Sequence, residues 1–365
     1  MISCTFVDAD RVVCSFSSAA AYRKGEYAFE LTDVPVSLCS HVVYDRLAID
    51  TYSNGSLSFV LSYPDVDVAD DGWEKFSALK RTNRELKLLI SIRSPFLLYT
   101  VLKPFQRKEF AEKLVELMED FTLDGVELFS RGEGMGSEDP LYLMMEELKS
   151  SFQAAGHPTW EVILFIQINE QGIDHARLCS LTDFVHVFGA RERRPKYSSN
   201  STMPTANALF DIDDQTNMTL SRALQYWLDR GCPANKIVLG VVFIAQVYKI
   251  EQPDYVEECD AFCSLTQDLP YCTYMEMCQK LNEGKWTVGW DDTEGMAPHA
   301  IQGTNWWLAY ENEASVGRKG ELARKKGLAG VYCGSLEMDD YRGKCGPAYP
   351  LLKALSGSFR RTLAI

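Results

Sequence analysis

Four arginines, Arg46, Arg93, Arg131 and Arg191, stand at or just beyond the C-terminal ends of short apolar runs. Carboxylates lie beside them or at neighbouring run ends: Asp45, Glu127, Glu192 and Glu337. A guanidinium stays charged at any physiological pH and grips sulfate, phosphate or carboxylate through two parallel hydrogen bonds, so four at one mouth would bind an anionic ligand. The adjacent acids offer the opposite outcome, a cleft filled by its own ion pairs. One run, Asp124-Gly125-Val126-Glu127-Leu128-Phe129-Ser130-Arg131, carries acids at its start and centre but a hydrocarbon ring and a permanent cation at its end. Neither Phe129 nor Arg131 can hand a proton to a leaving group.

The elements that must position these residues recur along the chain. Apolar, β-branched runs cover Arg11 to Phe16, His41 to Tyr44, Lys87 to Ile92, Gly125 to Phe129, Glu161 to Ile168, Phe184 to Phe188, Ile237 to Phe243 and Leu328 to Cys333. Between the third and fourth, Phe110, Leu114, Leu117, Met118 and Phe121 recur at helical spacing. Strand, helix, strand implies parallel pairing, and eight such strands imply an α/β fold, the (β/α)8 TIM barrel. Chemistry in that fold sits where strands end at the C-terminal face, which would gather the four arginines. The stretch 248–310 breaks the rhythm with cysteines, aromatics and turn residues and reads as a small α+β insertion, leaving 1–247 and 311–365 to the barrel. The polar stretch from Lys196 to Thr219 reads as a long exposed loop.

The run around Glu127 resembles the signature D-G-x-D-x-D-x-E of glycoside hydrolase family 18, the chitinases and chitinase-like lectins. The likeness extends over nearly the whole chain, through "ALQYWLDRGCPANKIVLG" (223–240) and "GLAGVYCGSLEMDDY" (327–341). It implies the barrel with an insertion after the seventh strand. It also implies that Arg131 stands where the family places its acid, and Phe129 where an Asp orients the substrate acetamido group. Asp124 and Glu127 are what remains of the motif. The family's tryptophan after the first strand corresponds to Ala19, and its Tyr-Ala-Phe run keeps Tyr44 but continues as Asp45 and Arg46. Its Gly-Gly-Trp run becomes Arg93-Ser94-Pro95, its Tyr-Asp pair Ala190-Arg191, and its floor tryptophan Gly334. Loss of the acid removes a contribution of roughly 10²- to 10⁴-fold, and loss of the rings removes stacking platforms for sugar faces. The resemblance further implies disulfides Cys14–Cys39 and Cys278–Cys345.

Composition bounds the rest. The 365 residues are 46% hydrophobic and 24% charged with a net charge of −14, which argues against nucleic-acid binding and against attraction to anionic membranes. No apolar run is long enough to span a bilayer. Eleven cysteines and glycosylation acceptors at Asn54, Asn200 and Asn217 favour an oxidising, extracellular compartment; Met1-Ile2-Ser3 lacks the charged start and long apolar stretch of a signal peptide, as a mature terminus also would. Cys4, Cys179, Cys232, Cys259, Cys263, Cys272 and Cys333 receive no partner from spacing, and an odd total leaves a free thiol or an intermolecular bond. No metal or cofactor is expected: the cysteine spacing matches no strong zinc pattern, and His175 has only Cys179 one helical turn on. His41 and His186 read as core residues, while His157 and His299 show no ligand pattern.

These features point to a secreted pseudoenzyme that binds rather than catalyses, in extracellular signalling, immunity or tissue remodelling. Its ligand would be an anionic glycan or another anion held by Arg46, Arg93, Arg131 and Arg191, with Tyr44 and Glu127 at the same mouth. The alternative is a structural or assembly protein with an inert cleft, engaging extracellular protein partners through its outer surface and spare cysteines. A third reading is an enzyme of altered chemistry using Glu127 or Asp45.

Overall fold

The structure is a computed structural model that describes residues 11–52, 56–61, 63–93, 103–130, 140–167, 173–188, 220–252, 255–258, 272–290, 297–303 and 306–360. The strands, in chain order, begin with β1 (Arg11–Ser17), β2 (His41–Thr51), β3 (Leu57–Leu61), β4 (Lys87–Ile92), β5 (Gly125–Ser130), β6 (Glu161–Gln167), β7 (Phe184–Phe188) and β8 (Ile237–Val242). A second group follows, β9 (Gln246–Gln252), β10 (Tyr255–Glu258), β11 (Thr287–Trp290), β12 (Pro298–Gln302) and β13 (Trp306–Ala309), before β14 (Gly330–Gly334). Strands β1, β2, β4, β5, β6, β7, β8 and β14 pair in parallel, and β1 bonds to both β14 and β2, which closes the barrel. All eight lie on the apolar runs of the sequence. Strand β2 runs seven residues past Tyr44 because β3 folds back against it, Leu47 facing Leu61. Hairpin pairing of this kind is set by the turn between the strands and leaves no mark in the apolar run itself.

Alternation along each strand sorts side chains between two cores. Val13, Val43, Leu89, Ile163, Val238 and Tyr332 fill the barrel interior, while Val12, Cys14, Val42, Leu88, Val331 and Cys333 face outward under the helices. Helix α1 (Gly72–Thr82) covers β2, and helix α2 (Pro104–Asp120) buries Phe110, Leu114 and Met118, three of the five positions given by helical spacing, while Leu117 and Phe121 are partly buried. Gly240 is required by a close approach: a Cβ there would lie 2.4 Å from the Phe188 ring, which occupies that part of the interior. At the N-terminal end, buried Glu161 accepts from part-exposed Lys87 and lies 3.2 Å from Nε2 of buried His41, a polar cluster beneath the barrel.

Strands β9 to β13 form a separate antiparallel sheet in the order β10-β9-β13-β12-β11. It begins at Gln246, inside the stretch that the sequence assigns to the barrel, because β9 follows β8 after only three residues. Helix α3 (Tyr274–Asn282 here) packs on it, and Val247, Met277, Ala300 and Leu308 make its own small core.

Disulfides join Cys14 to Cys39 and Cys278 to Cys345. A further one, Cys179–Cys232, was beyond the reach of spacing because its cysteines are 53 residues apart. It also takes up Cys179, the thiol one helical turn on from His175, whose Nδ1 lies 3.0 Å from the Ile173 carbonyl. Cys272 is disulfide-bonded as well, and Cys333 is a buried free thiol. Cys4, Cys259, Cys263, Asn54, Asn200 and Asn217 lie outside the described residues. No helix among those residues is long and apolar enough to cross a membrane.

Candidate functional site

The parallel register brings three inward positions side by side across β2, β4 and β5: Asp45 opposite Ser91, and Ser91 opposite Glu127. Glu127 is fully buried. The Ser91 hydroxyl donates to its Oε1 at 2.8 Å, and His186 Nδ1 from β7 lies 2.7 Å from its Oε2. Burial penalises the charged carboxylate, but His186, Arg93 and Ser91 together outweigh that penalty and hold Glu127 below the usual carboxylate range. His186 is thus a core histidine, as its strand position implies, with Nδ1 placed against the carboxylate and Nε2 buried with no hydrogen-bond partner. Its other neighbours are rings, Phe165, Phe184 and Tyr332.

Above this layer, Arg93 at the end of β4 pairs with Asp45, Nε to Oδ1 at 2.9 Å. Its guanidinium also lies over two rings, 5.4 Å from the centre of Phe129 and 5.2 Å from that of Phe165. Phe129 and Phe165 face each other directly across β5 and β6. Burial disfavours the Arg93 charge, yet Asp45 first, then Tyr332 and Glu127, raise its pKa above the ordinary value. Asp45 itself is raised: burial and the nearby Glu127 outweigh the attraction of Arg93 and Arg46. Glu337, after β14, is buried and also held above the carboxylate range, chiefly by desolvation and against the pull of Arg23.

The arginine mouth therefore differs from its sequence outline. Arg93 is engaged internally rather than open to an anion. Arg46 is exposed, at the point where the pairing of β2 with β4 jumps from Asp45–Ser91 to Leu47–Ile92. Arg131, Arg191 and Glu192 lie outside the described residues. Tyr44 requires correction as a ligand contact. Since Val43 and Asp45 point into the barrel, Tyr44 must point out, where it stacks on Trp73 of α1 and donates to Asp67 at 2.6 Å.

A feature missed in the sequence lies past the ends of β1 and β3. Tyr22 is 46% exposed and its ring is 5.7 Å from that of Tyr63. The two are 41 positions apart, so only the fold brings them together. Two further histidines stack on tryptophans, His157 on Trp160 and His299 on Trp307.

An eight-stranded parallel barrel with a buried carboxylate, Glu127, in its interior and an antiparallel insertion before its last strand defines a (β/α)8 barrel protein. Residues 11–339 match the glycosyl hydrolases family 18, and the chain belongs to that family. It is 24% identical to an endochitinase of Manduca sexta, over 94% of this chain and 66% of the relative's length. It is 23% identical to human chitinase-3-like protein 2, over 95% of this chain and 92% of that one. The chain spans slightly less than two thirds of the moth endochitinase, and 16% of a probable chitinase 10 of Drosophila melanogaster. Among solved structures, the group IV chitinase of Ostrinia furnacalis superposes with a TM-score of 0.82 at 23% identity, covering 96% of this chain and all of that one. Human YKL-39, described as a pseudo-chitinase with retained chitooligosaccharide binding, gives 0.80 at 21% identity with the same coverage.

Proposed function

We propose that this chain is an extracellular, non-catalytic member of the family that binds a glycan at the barrel mouth. The observation that carries the reading is the filling of the centre. Glu127 is locked by His186 and Ser91, and the space above it holds Arg93 lodged against Phe129 and Phe165 and tied to Asp45. With Arg131 in place of the family's acid, no group at that position can protonate a leaving oxygen. The Tyr22–Tyr63 pair keeps an aromatic face at the rim, suited to stacking on sugar rings. Exposed Arg46, with Arg131 and Arg191, would favour a sulfated or carboxylated glycan. The binding recorded for YKL-39 supports the same use of the fold.

Thermal stabilisation of the purified protein by neutral chito-oligosaccharides and by sulfated glycans, at low and physiological salt, tests this. Stabilisation by the sulfated set that weakens with salt supports an anionic ligand, and stabilisation by the neutral set places the ligand with that of YKL-39. No shift with either set overturns the proposal. That result would favour a second reading supported by the Arg93–Asp45 pair: an inert cleft, with protein partners engaged on the outer surface. An intermolecular disulfide on a non-reducing gel would be its signature. Turnover of chito-oligosaccharide that Glu127→Gln abolishes would instead mean altered catalysis.

A further inference from the structure

The barrel closes where β1 meets β14, and the register there sets Cys14 opposite Cys333. Val13 and Tyr332, one residue earlier on each strand, both point into the barrel, so Cys14 and Cys333 both point out, into the same layer beneath the helices. Cys14 is bonded to Cys39, and Cys333 is a free thiol with no solvent exposure. Three sulfurs thus share one buried layer at the seam. Neighbouring strands lie about 4.8 Å apart, within the Cα separation of roughly 4.4–6.8 Å that a disulfide spans, so Cys14 has two partners within reach.

We propose that Cys14, Cys39 and Cys333 form an internal thiol–disulfide exchange site, in which the bond to Cys14 passes between Cys39 and Cys333. In the step, the Cys333 sulfur attacks the Cys14 sulfur, the Cys14–Cys39 bond breaks, and Cys39 leaves as a thiolate that takes up the proton Cys333 gave up. One disulfide and one thiol stand on each side of the reaction, so no oxidant or reductant is consumed. The two forms differ in what they fasten. Cys39 anchors the end of the long connection from β1 to β2 that carries Tyr22, whereas a Cys14–Cys333 bond would fasten the barrel seam and release that connection.

The native fold keeps the exchange silent. Burial, with the nearby Asp339 and Glu337 acting in the same direction, keeps the Cys333 thiol protonated, and a thiol is a poor nucleophile. Exchange therefore requires local opening of the seam.

The test is to hold the purified protein at pH 8 in urea well below its unfolding midpoint, without reductant, then quench with acid. After denaturation and alkylation with N-ethylmaleimide, peptides are mapped cysteine by cysteine. At zero time the label sits on Cys333 and not on Cys39. With time, label at Cys39 should rise at least tenfold above that background, together with a linked Cys14–Cys333 peptide. Label that stays on Cys333 until the whole protein unfolds overturns the proposal. Cys333→Val should abolish all labelling of Cys39. In Cys39→Ser, oxidised glutathione should join Cys14 to Cys333; persistence of both thiols in a variant that retains its circular dichroism also overturns it.

Discussion

His186 Nδ1 and Glu127 Oε2 lie 2.7 Å apart at the centre of the barrel, neither side chain exposed to solvent. Glu127 would otherwise be a bare charge in an apolar interior. His186 and Ser91 make its burial tolerable, and the arrangement ties β4, β5 and β7 together. A buried pair is expensive to break from one side, typically about 3–5 kcal/mol.

His186→Leu should therefore lower the unfolding free energy by about 3 kcal/mol or more, read from urea denaturation. His186→Leu combined with Glu127→Leu should recover part of that loss, because the stranded charge is gone. Equal losses in the single and double variants would mean that the pair is not coupled.

Arg93 and Asp45 make a second pair, nearer the mouth. Arg93→Ala leaves Asp45 without its 2.9 Å cation partner and strips the cover from Phe129 and Phe165. Since Asp45 already has a raised pKa, largely from burial, it can escape the penalty only by taking a proton. The cost of Arg93→Ala should thus be greater at pH 8 than at pH 5, and Asp45→Asn in the same background should flatten the difference. Denaturation midpoints of the parent and the two variants at the two pH values decide the matter, and a pH-independent cost would rule out this role for Asp45.

Much of the scaffold was legible because the barrel strands are buried on both faces and leave continuous apolar runs, as from Lys87 to Ile92 and Ile237 to Val242. The ends of those strands were harder to read. Tyr44 was misplaced as a ligand contact because one residue of offset moves a strand side chain from the interior to the helix layer. Arg46 sits at an irregularity of pairing that no sequence pattern marks. The Tyr22–Tyr63 pair depends on two connections meeting in space. His186 could be assigned to the core, but its bond to Glu127 needed the register of β5, β6 and β7.

Acid stability should depend on Glu161, under the barrel. Burial opposes its charge, but His41 and Lys87 more than compensate and bring its pKa from 4.5 down to about 2. For a depressed carboxylate, the stabilisation is present above the unfolded pKa and is lost as pH falls through the folded one. The window is thus from about pH 4.5 down to 2, with a ceiling of about 3 kcal/mol from the size of the shift. Glu161→Gln should be less stable than the parent at pH 6 and should converge with it toward pH 2. Parallel curves across that range would show that the ion cluster adds nothing.

Asp339 should act with the opposite sign. It follows β14 and accepts from the backbone N–H groups of Asp340, Leu351 and Leu352, the last two in the first turn of the helix Pro350–Arg360. Burial outweighs those bonds and pushes its pKa from 3.8 up to about 7. A raised carboxylate favours the folded state fully below its unfolded pKa, and the contribution is lost as pH rises through the folded value. Parent stability should therefore fall between about pH 4 and 7, by up to about 4 kcal/mol on the size of the shift. Asp339→Asn cannot ionise but retains an acceptor for the helix start, so its urea midpoint should vary less over that window. Near pH 7.5, where the parent's own carboxylate carries a buried charge, the parent should have lost the most relative to the variant. A parent and variant that decline together from pH 4 to 7 would assign the pH dependence to another group.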